Sequence, residues 1–338
     1  MSETNDPQNA IGAGAGTDAN TSAGAIALKT KKARKYTFFT DIRQNTFSYL
    51  LILPAIAYTV IFGYATIPFM ILAFKQFSYR LGVWRSPFNG FKNFEFFFTS
   101  DYASVVIGNT LILNFMFLVF TTAASVMFAI LLNDVISRKI AKVSQTMFLL
   151  PHFISWVIVS YILNALLATD PGVINTALRA MGFSNIRWYA TASYWPAILV
   201  IMRIWKGTGY SSVIYLAVIT GIDAELYEAA HIDGATRFQQ NRHITLPLLM
   251  PTVAILTLLS LGRIFYGDFG MIYALIRDNG VLFPTVDVID TYVFRLLRLV
   301  GDPAQSMAVG MFQSLIGFIL VISTNMLARK FFPEGALF

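Results

Sequence analysis

The 338-residue sequence contains no cysteine. Disulfides and cysteine-ligated metal sites are therefore excluded, and the absence is compatible with any redox compartment. Charge is scarce. Asp, Glu, Lys and Arg make up 13% of the chain, where soluble domains carry about 25%. Histidine occurs three times, at His152, His231 and His243, too scattered for a metal site or a catalytic triad. No G-x-x-x-x-G-K-[ST] run is present, which excludes nucleotide binding through a phosphate-binding loop, and neither H-E-x-x-H nor G-x-S-x-G occurs. No nucleophile–base pair suited to an enzyme stands out.

What fills the chain instead is apolar: 56% hydrophobic residues, 30 Phe and 15 Tyr, with a mean hydropathy of +0.61. Such a composition belongs in a membrane. A span needs about 20 mostly apolar residues to cross ~30 Å of hydrocarbon. Six stretches qualify, at 49–74, 105–133, 145–168, 194–219, 244–267 and 305–328. The ten-residue alternation of a barrel is missing. The expected fold is all-α and polytopic, with six transmembrane helices. Residues 1–44 read as a flexible cytosolic tail: the first 28 are rich in Gly, Ala, Asn, Ser and Thr and lack apolar periodicity. They are not a signal peptide, because no apolar stretch precedes the basic cluster. Residues 45–103 then hold the first helix and an outer loop, 104–328 a five-helix core, and 329–338 a cytosolic end.

The net charge of +7 suits the cytosolic flanks of membrane spans better than nucleic acid. With the N-terminus inside, the inner loops hold Lys29, Lys31, Lys32, Arg34, Lys35, Arg43, Arg138, Lys139, Lys142, Arg237, Arg242, Arg329 and Lys330. The outer loops are longer and less basic, so both termini are expected in the cytosol.

One inner loop breaks the apolar pattern. In 223–234, DAELYEAAHIDG, Asp223 suits a helix N-cap and Glu225 the positive first turn. Gly234 suits the left-handed residue that ends a helix. Leu226, Ala229, Ala230 and Asp233 share a face. A helix of about ten residues is marginal alone in water and needs a surface to pack on. The two alanines keep its face shallow, and Glu228 and Asp233 suit a basic partner. A short helix across the ends of two spans would tilt both when pushed.

Glu228, Ala229, Ala230, Gly234, Ile244, Leu246 and Pro247 form the pattern E-A-A, three residues, G, nine residues, I, one residue, L-P. A chance match is on the order of one in ten million per start position. The stretch resembles the EAA motif of ABC importer permeases. Residues 150–167, 203–217, 287–297 and 327–338 resemble the branch that carries oligosaccharides and polysaccharides, including alginate and uronide importers. The likeness covers about residues 45–338. It implies a type I (MetI-like) permease fold in the cell membrane, with Asp223, Glu225, Leu226, Glu228, Ala229, Ala230, Asp233 and Gly234 as a coupling helix seated in a cleft of the ATPase. It further implies a dimer of cytosolic ABC ATPases bearing the ATP and Mg, a second and usually different permease, surrounding membrane lipid, an extracytoplasmic substrate-binding protein, and no cofactor on this chain.

Ionisable groups at membrane depth usually face a cavity or a partner. Arg203 and Lys206 share a face of span 4 with Tyr210, and Arg263, Tyr266 and Asp268 end span 5. This polar outer half could line a sugar path; internal pairing of Arg263 with Asp268, or of Arg203 with Asp170, is the plainer reading. Asn114, Trp156, Tyr161 and Asn164 have chemistry suited to sugar hydroxyls and ring faces, and equally to helix packing. An excess of outer positive charge would fit an acidic sugar, while Asp268, Asp287 and Asp290 count against it. Residues 285–300 read as an amphipathic helix at the outer interface, with Ile289, Tyr292, Val293, Leu296 and Val300 on one face. It either touches a binding protein or caps the bundle. An ion-coupled carrier or channel is the competing function, but no Asp or Glu stands in the centre of any span.

Overall fold

A computed structural model describes residues 42, 43 and 45–331. The tail at 1–41, with Lys29, Lys31, Lys32, Arg34 and Lys35, and the stretch 332–338 lie outside the described residues. The chain divides into two units, Met1–Ala65 and Thr66–Phe338. In the first, helix α1 (Thr46–Thr59) runs into a π-helical turn, Val60–Tyr64. None of its residues is buried, as expected of a helix whose apolar side chains are meant for lipid or another chain.

The second unit opens with a 3-10 helix, Ile67–Phe74, followed by α2 (Lys92–Thr99) and the long α3 (Asp101–Asp134). The Ser100 hydroxyl caps α3 by accepting from the Tyr102 N–H at 3.2 Å, and Asp101 faces the positive first turn. The loop between the first two elements is pinned by buried polar groups. Lys75 Nζ donates to the Val83 and Trp84 carbonyls at 2.9 and 2.8 Å, and Asn93 donates to the Ala73 and Lys75 carbonyls at 2.8 and 2.9 Å.

Next come α4 (Arg138–Phe153), α5 (Trp156–Leu167) and α6 (Val173–Ala180). The stretch 145–168 is not one straight span: α4 and α5 meet at 99°. Pro151 supplies no N–H to the last turn of α4. Ile154 and Ser155 are extended, and the Ser155 hydroxyl starts α5 by accepting from the Val157 N–H at 3.3 Å.

Then follow α7 (Trp195–Thr220), α8 (Ala224–Ile232) and α9 (Leu246–Leu261), the last preceded by a turn at Arg237–Gln240 and a π-helical turn at Asn241–Thr245. The stretch 244–267 is therefore helical only to Leu261. The chain closes with α10 (Phe269–Ile276), α11 (Ile289–Arg295) and α12 (Pro303–Phe331). No strand occurs among the described residues.

Four segments are long and apolar enough to cross a membrane: Thr46–Phe74, α3, Arg237–Leu261 and Pro303–Lys330. The bent pair α4–α5 makes a fifth if it counts as one span. The sixth expected span corresponds to α7, which has the length, at 26 residues, but carries Arg203 and Lys206 and falls short of the others in apolarity.

Packing centres on α7, which lies against α3 and α4. Between apolar helices in lipid there is little hydrophobic drive, so close contact rests on small residues and hydrogen bonds. Gly207 faces the Thr121 methyl of α3 at ordinary contact, and Gly209 abuts the backbone of Phe148 in α4. Leu113, Leu163, Trp195, Leu199, Met271 and Leu282 form one buried cluster joining α3, α5, α7 and α10. The face expected to make 285–300 an interfacial helix is mostly turned inward: Ile289 and Leu296 are buried against Phe97, Val106 and Phe265, with Tyr292 and Val293 packed beside them. Val300 alone of that face is exposed. This segment caps the bundle.

Candidate functional site

Two regions concentrate the polar groups picked out from sequence. The first is a cavity of about 690 Å³ between α3, α7 and the end of α9. Of the nine pathway candidates, Asn114, Arg203, Tyr210, Arg263 and Tyr266 line it; Trp156, Tyr161, Asn164 and Lys206 do not.

The cavity owes its shape to the end of α9. After Leu261 the backbone leaves the helix and does not resume one until Phe269. Non-helical backbone at such depth has to be satisfied by protein or by a cavity. Side chains of three other helices do this. Asn114 donates to the Ile264 and Tyr266 carbonyls at 2.9 and 3.1 Å, and Gln313 of α12 to the Phe265 carbonyl at 3.0 Å. Asp290 of α11 accepts the Gly267 N–H at 2.6 Å and the Gln313 amide at 3.0 Å. Burial pushes the Asp290 carboxyl up in pKa, and these two hydrogen bonds oppose that shift. The Tyr266 ring sits against Gly317, where a Cβ would come within 2.5 Å of it.

Charge inside the cavity is arranged otherwise than by the pairs weighed from sequence. Arg203 pairs with Asp268, while Asp170 pairs with Arg179 at 3.3 Å. Asp268 also caps α10, accepting the Met271 N–H at 3.0 Å, so it stands where α7 and α10 approach each other. The Arg203 guanidinium lies 6.0 Å from the Phe117 ring centre. Arg263, just past the end of α9, is exposed, and its side chain has neither an ion pair nor a hydrogen bond among the described residues.

Lys206 turns away from the cavity. Its ammonium donates to the His152 carbonyl at 2.6 Å and reaches that of Pro151 at 3.4 Å, 5.1 Å from the Trp156 ring centre. It thus fastens the α4–α5 elbow to α7. His152 stacks on Tyr210 with centroids 4.2 Å apart. Tyr161 is exposed beneath the Arg277 guanidinium at 5.5 Å. Burial pushes the Tyr189 hydroxyl up in pKa, and the Asn164 side chain opposes that shift.

The second region is α8. Asp223 Oδ1 accepts the Glu225 N–H at 3.0 Å, and Gly234 sits at φ +78°. Thr236 and Gln239 form a capping box that restarts the helix after the break. Ala230 is half-buried beside Tyr227; Leu226, Ala229 and Asp233, expected on its face, point outward with Glu225 and Glu228. The three acids make no ion pair among the described residues. Ile232 is 85% exposed and Phe238 72%.

What anchors α8 was not read from the sequence. The Tyr227 and Thr245 hydroxyls lie 2.9 Å apart, Thr245 donates to Asn241 at 3.2 Å, and Asn241 donates to Asp134 at 2.5 Å. This chain ties α8 to the approach to α9 and to the last residue of α3. The one available signal was the i, i+4 spacing of Asn241 and Thr245, which puts both on one helical face.

Residues 121–333 match the sequence model of the family described as binding-protein-dependent transport system inner membrane component. The protein LplB of Bacillus subtilis (strain 168) is 35% identical over 87% of this chain and 92% of its own length. The polygalacturonan/rhamnogalacturonan transport system permease protein YteP of the same organism is 34% identical over 91% of this chain and 96% of its own. A chain in the crystal structure of a bacterial ABC transporter involved in the import of the acidic polysaccharide alginate superposes with a TM-score of 0.77, at 34% identity, over 87% of this chain and 99% of that one.

Proposed function

The chain belongs to the binding-protein-dependent transport system inner membrane component family, and from that membership we propose that it conducts an oligo- or polysaccharide through an ATP-driven importer. It is a membrane permease; the work comes from ATPase subunits on other chains. A second permease of the same family completes the passage, and an extracytoplasmic binding protein delivers the sugar. Both termini lie in the cytosol, the chain crosses six times, and α8 enters a cleft of the ATPase.

One observation carries this reading. An exposed helix bearing the E-A-A-x-x-x-G pattern is bolted by Tyr227, Thr245, Asn241 and Asp134 to the ends of two long apolar helices. A force on α8 therefore reaches α3 and α9, and α9 ends at the cavity. The carbohydrate assignment is supported by the relatives named for pectic polysaccharides and alginate.

The test separates transport from hydrolysis. In the assembled transporter, Gly234→Pro, or a double change of Glu228→Lys and Ala229→Asp, leaves insertion intact and lowers sugar taken up per ATP hydrolysed by about tenfold or more. Normal coupling in both variants would refute the role given to α8.

A further inference from the structure

We propose that Arg263 is the counter-charge for a carboxylate on the transported sugar, so that the cargo is an acidic oligosaccharide. The inference rests on the carbohydrate reading above and deepens it. The three acids that the sequence sets against an outer positive charge are engaged within the chain. Asp268 pairs with Arg203, Asp287 with Arg295, and Asp290 is held by the Gly267 N–H and the Gln313 amide. The neighbouring cations are engaged too: Arg203 by Asp268, and Lys206 by two carbonyls. Arg263 lines the cavity without an ion pair or hydrogen bond from its side chain among the described residues.

An unpaired guanidinium among apolar helices is costly unless it faces water or a partner. The fold tolerates this one because it sits just past the C-terminal end of α9, where the helix dipole favours a cation. Its planar fork suits a carboxylate in two-point contact. Tyr210 and Tyr266 line the same cavity and offer rings for the apolar faces of a sugar. Asn114, which lines it as well, is committed to the Ile264 and Tyr266 carbonyls. Charge discrimination therefore falls to Arg263 rather than to Arg203.

The experiment is equilibrium binding to the assembled, detergent-solubilised transporter without its binding protein, whose own selectivity is thereby removed. The probes are a trisaccharide of galacturonate and its carboxyl-reduced neutral counterpart. The wild type is expected to prefer the acidic trimer, Arg263→Gln to lower the acidic-to-neutral ratio by about tenfold or more, and Arg263→Lys, which keeps the charge and loses the two-point fork, to lower it by less. Reporting a ratio guards against a general loss of folded protein. An unchanged ratio in Arg263→Gln overturns the proposal. If the wild type binds both trimers equally, the charge assignment falls and the carbohydrate reading stands; if it binds neither, both fall.

Discussion

Lys206 lies within reach of two carbonyls at the end of α4, at 2.6 and 3.4 Å. From sequence it looks like a partner of Arg203 in a polar path, since the two share a face of one helix. The elbow decides otherwise, because an ammonium near the last carbonyls of a helix satisfies them and complements the dipole. Replacing Lys206 by Met keeps most of the apolar stem and removes that bond. It is expected to lower the stability of the folded chain in detergent by on the order of 1–2 kcal/mol, read from the thermal unfolding midpoint. No change would mean that the elbow does not need the ammonium. The same scale shows why Arg203 and Asp268 could not be paired by reading: they are 65 positions apart, and their meeting depends on where the backbone leaves α9.

Among the elements, composition and spacing made the long apolar helices legible, because about 20 apolar residues in a row admit little else. The short α8 was legible too, from Asp223 at its start and Gly234 at its end. What the letters hid were the interruptions. Pro151 and Ser155 both stand inside an apolar run, and each residue type is tolerated in membrane helices. The 99° elbow needed the partner that holds it. That partner is α7, whose Gly209 leaves room for the Phe148 backbone: a Cβ there would come within 2.0 Å of the Phe148 oxygen. Gly209→Ala is expected to push α4 off α7, destabilising the chain by about 3 kcal/mol or more. Gly207→Ala, two residues away, would meet only the Thr121 methyl at 3.4 Å and should be neutral or slightly stabilising. Comparing the two by thermal unfolding checks the elbow directly; equal effects would contradict it. Of the site, the cavity residues on α7 could be nominated from helical spacing, and Asn114 on α3 from its chemistry. The straps on residues 264–267 could not, since Asn114, Asp290 and Gln313 converge from three separate helices.

On the scale of the whole molecule, the parts form one continuous chain of contacts, along which the proposed function has motion pass. The acids and apolar side chains of α8 face outward, its Tyr227 is tied through Thr245 and Asn241 to Asp134, and α9 runs on to the break where Arg263 and Tyr266 line the cavity. The sequence holds no phosphate-binding loop with which to drive that motion itself. The most direct test reconstitutes the chain and its partner permease in sealed vesicles, with and without the ATPase subunits and ATP, and follows entry of a labelled acidic oligosaccharide presented with the binding protein. The account predicts accumulation against a gradient only when ATPase and ATP are both present. Accumulation by the permeases alone would contradict it.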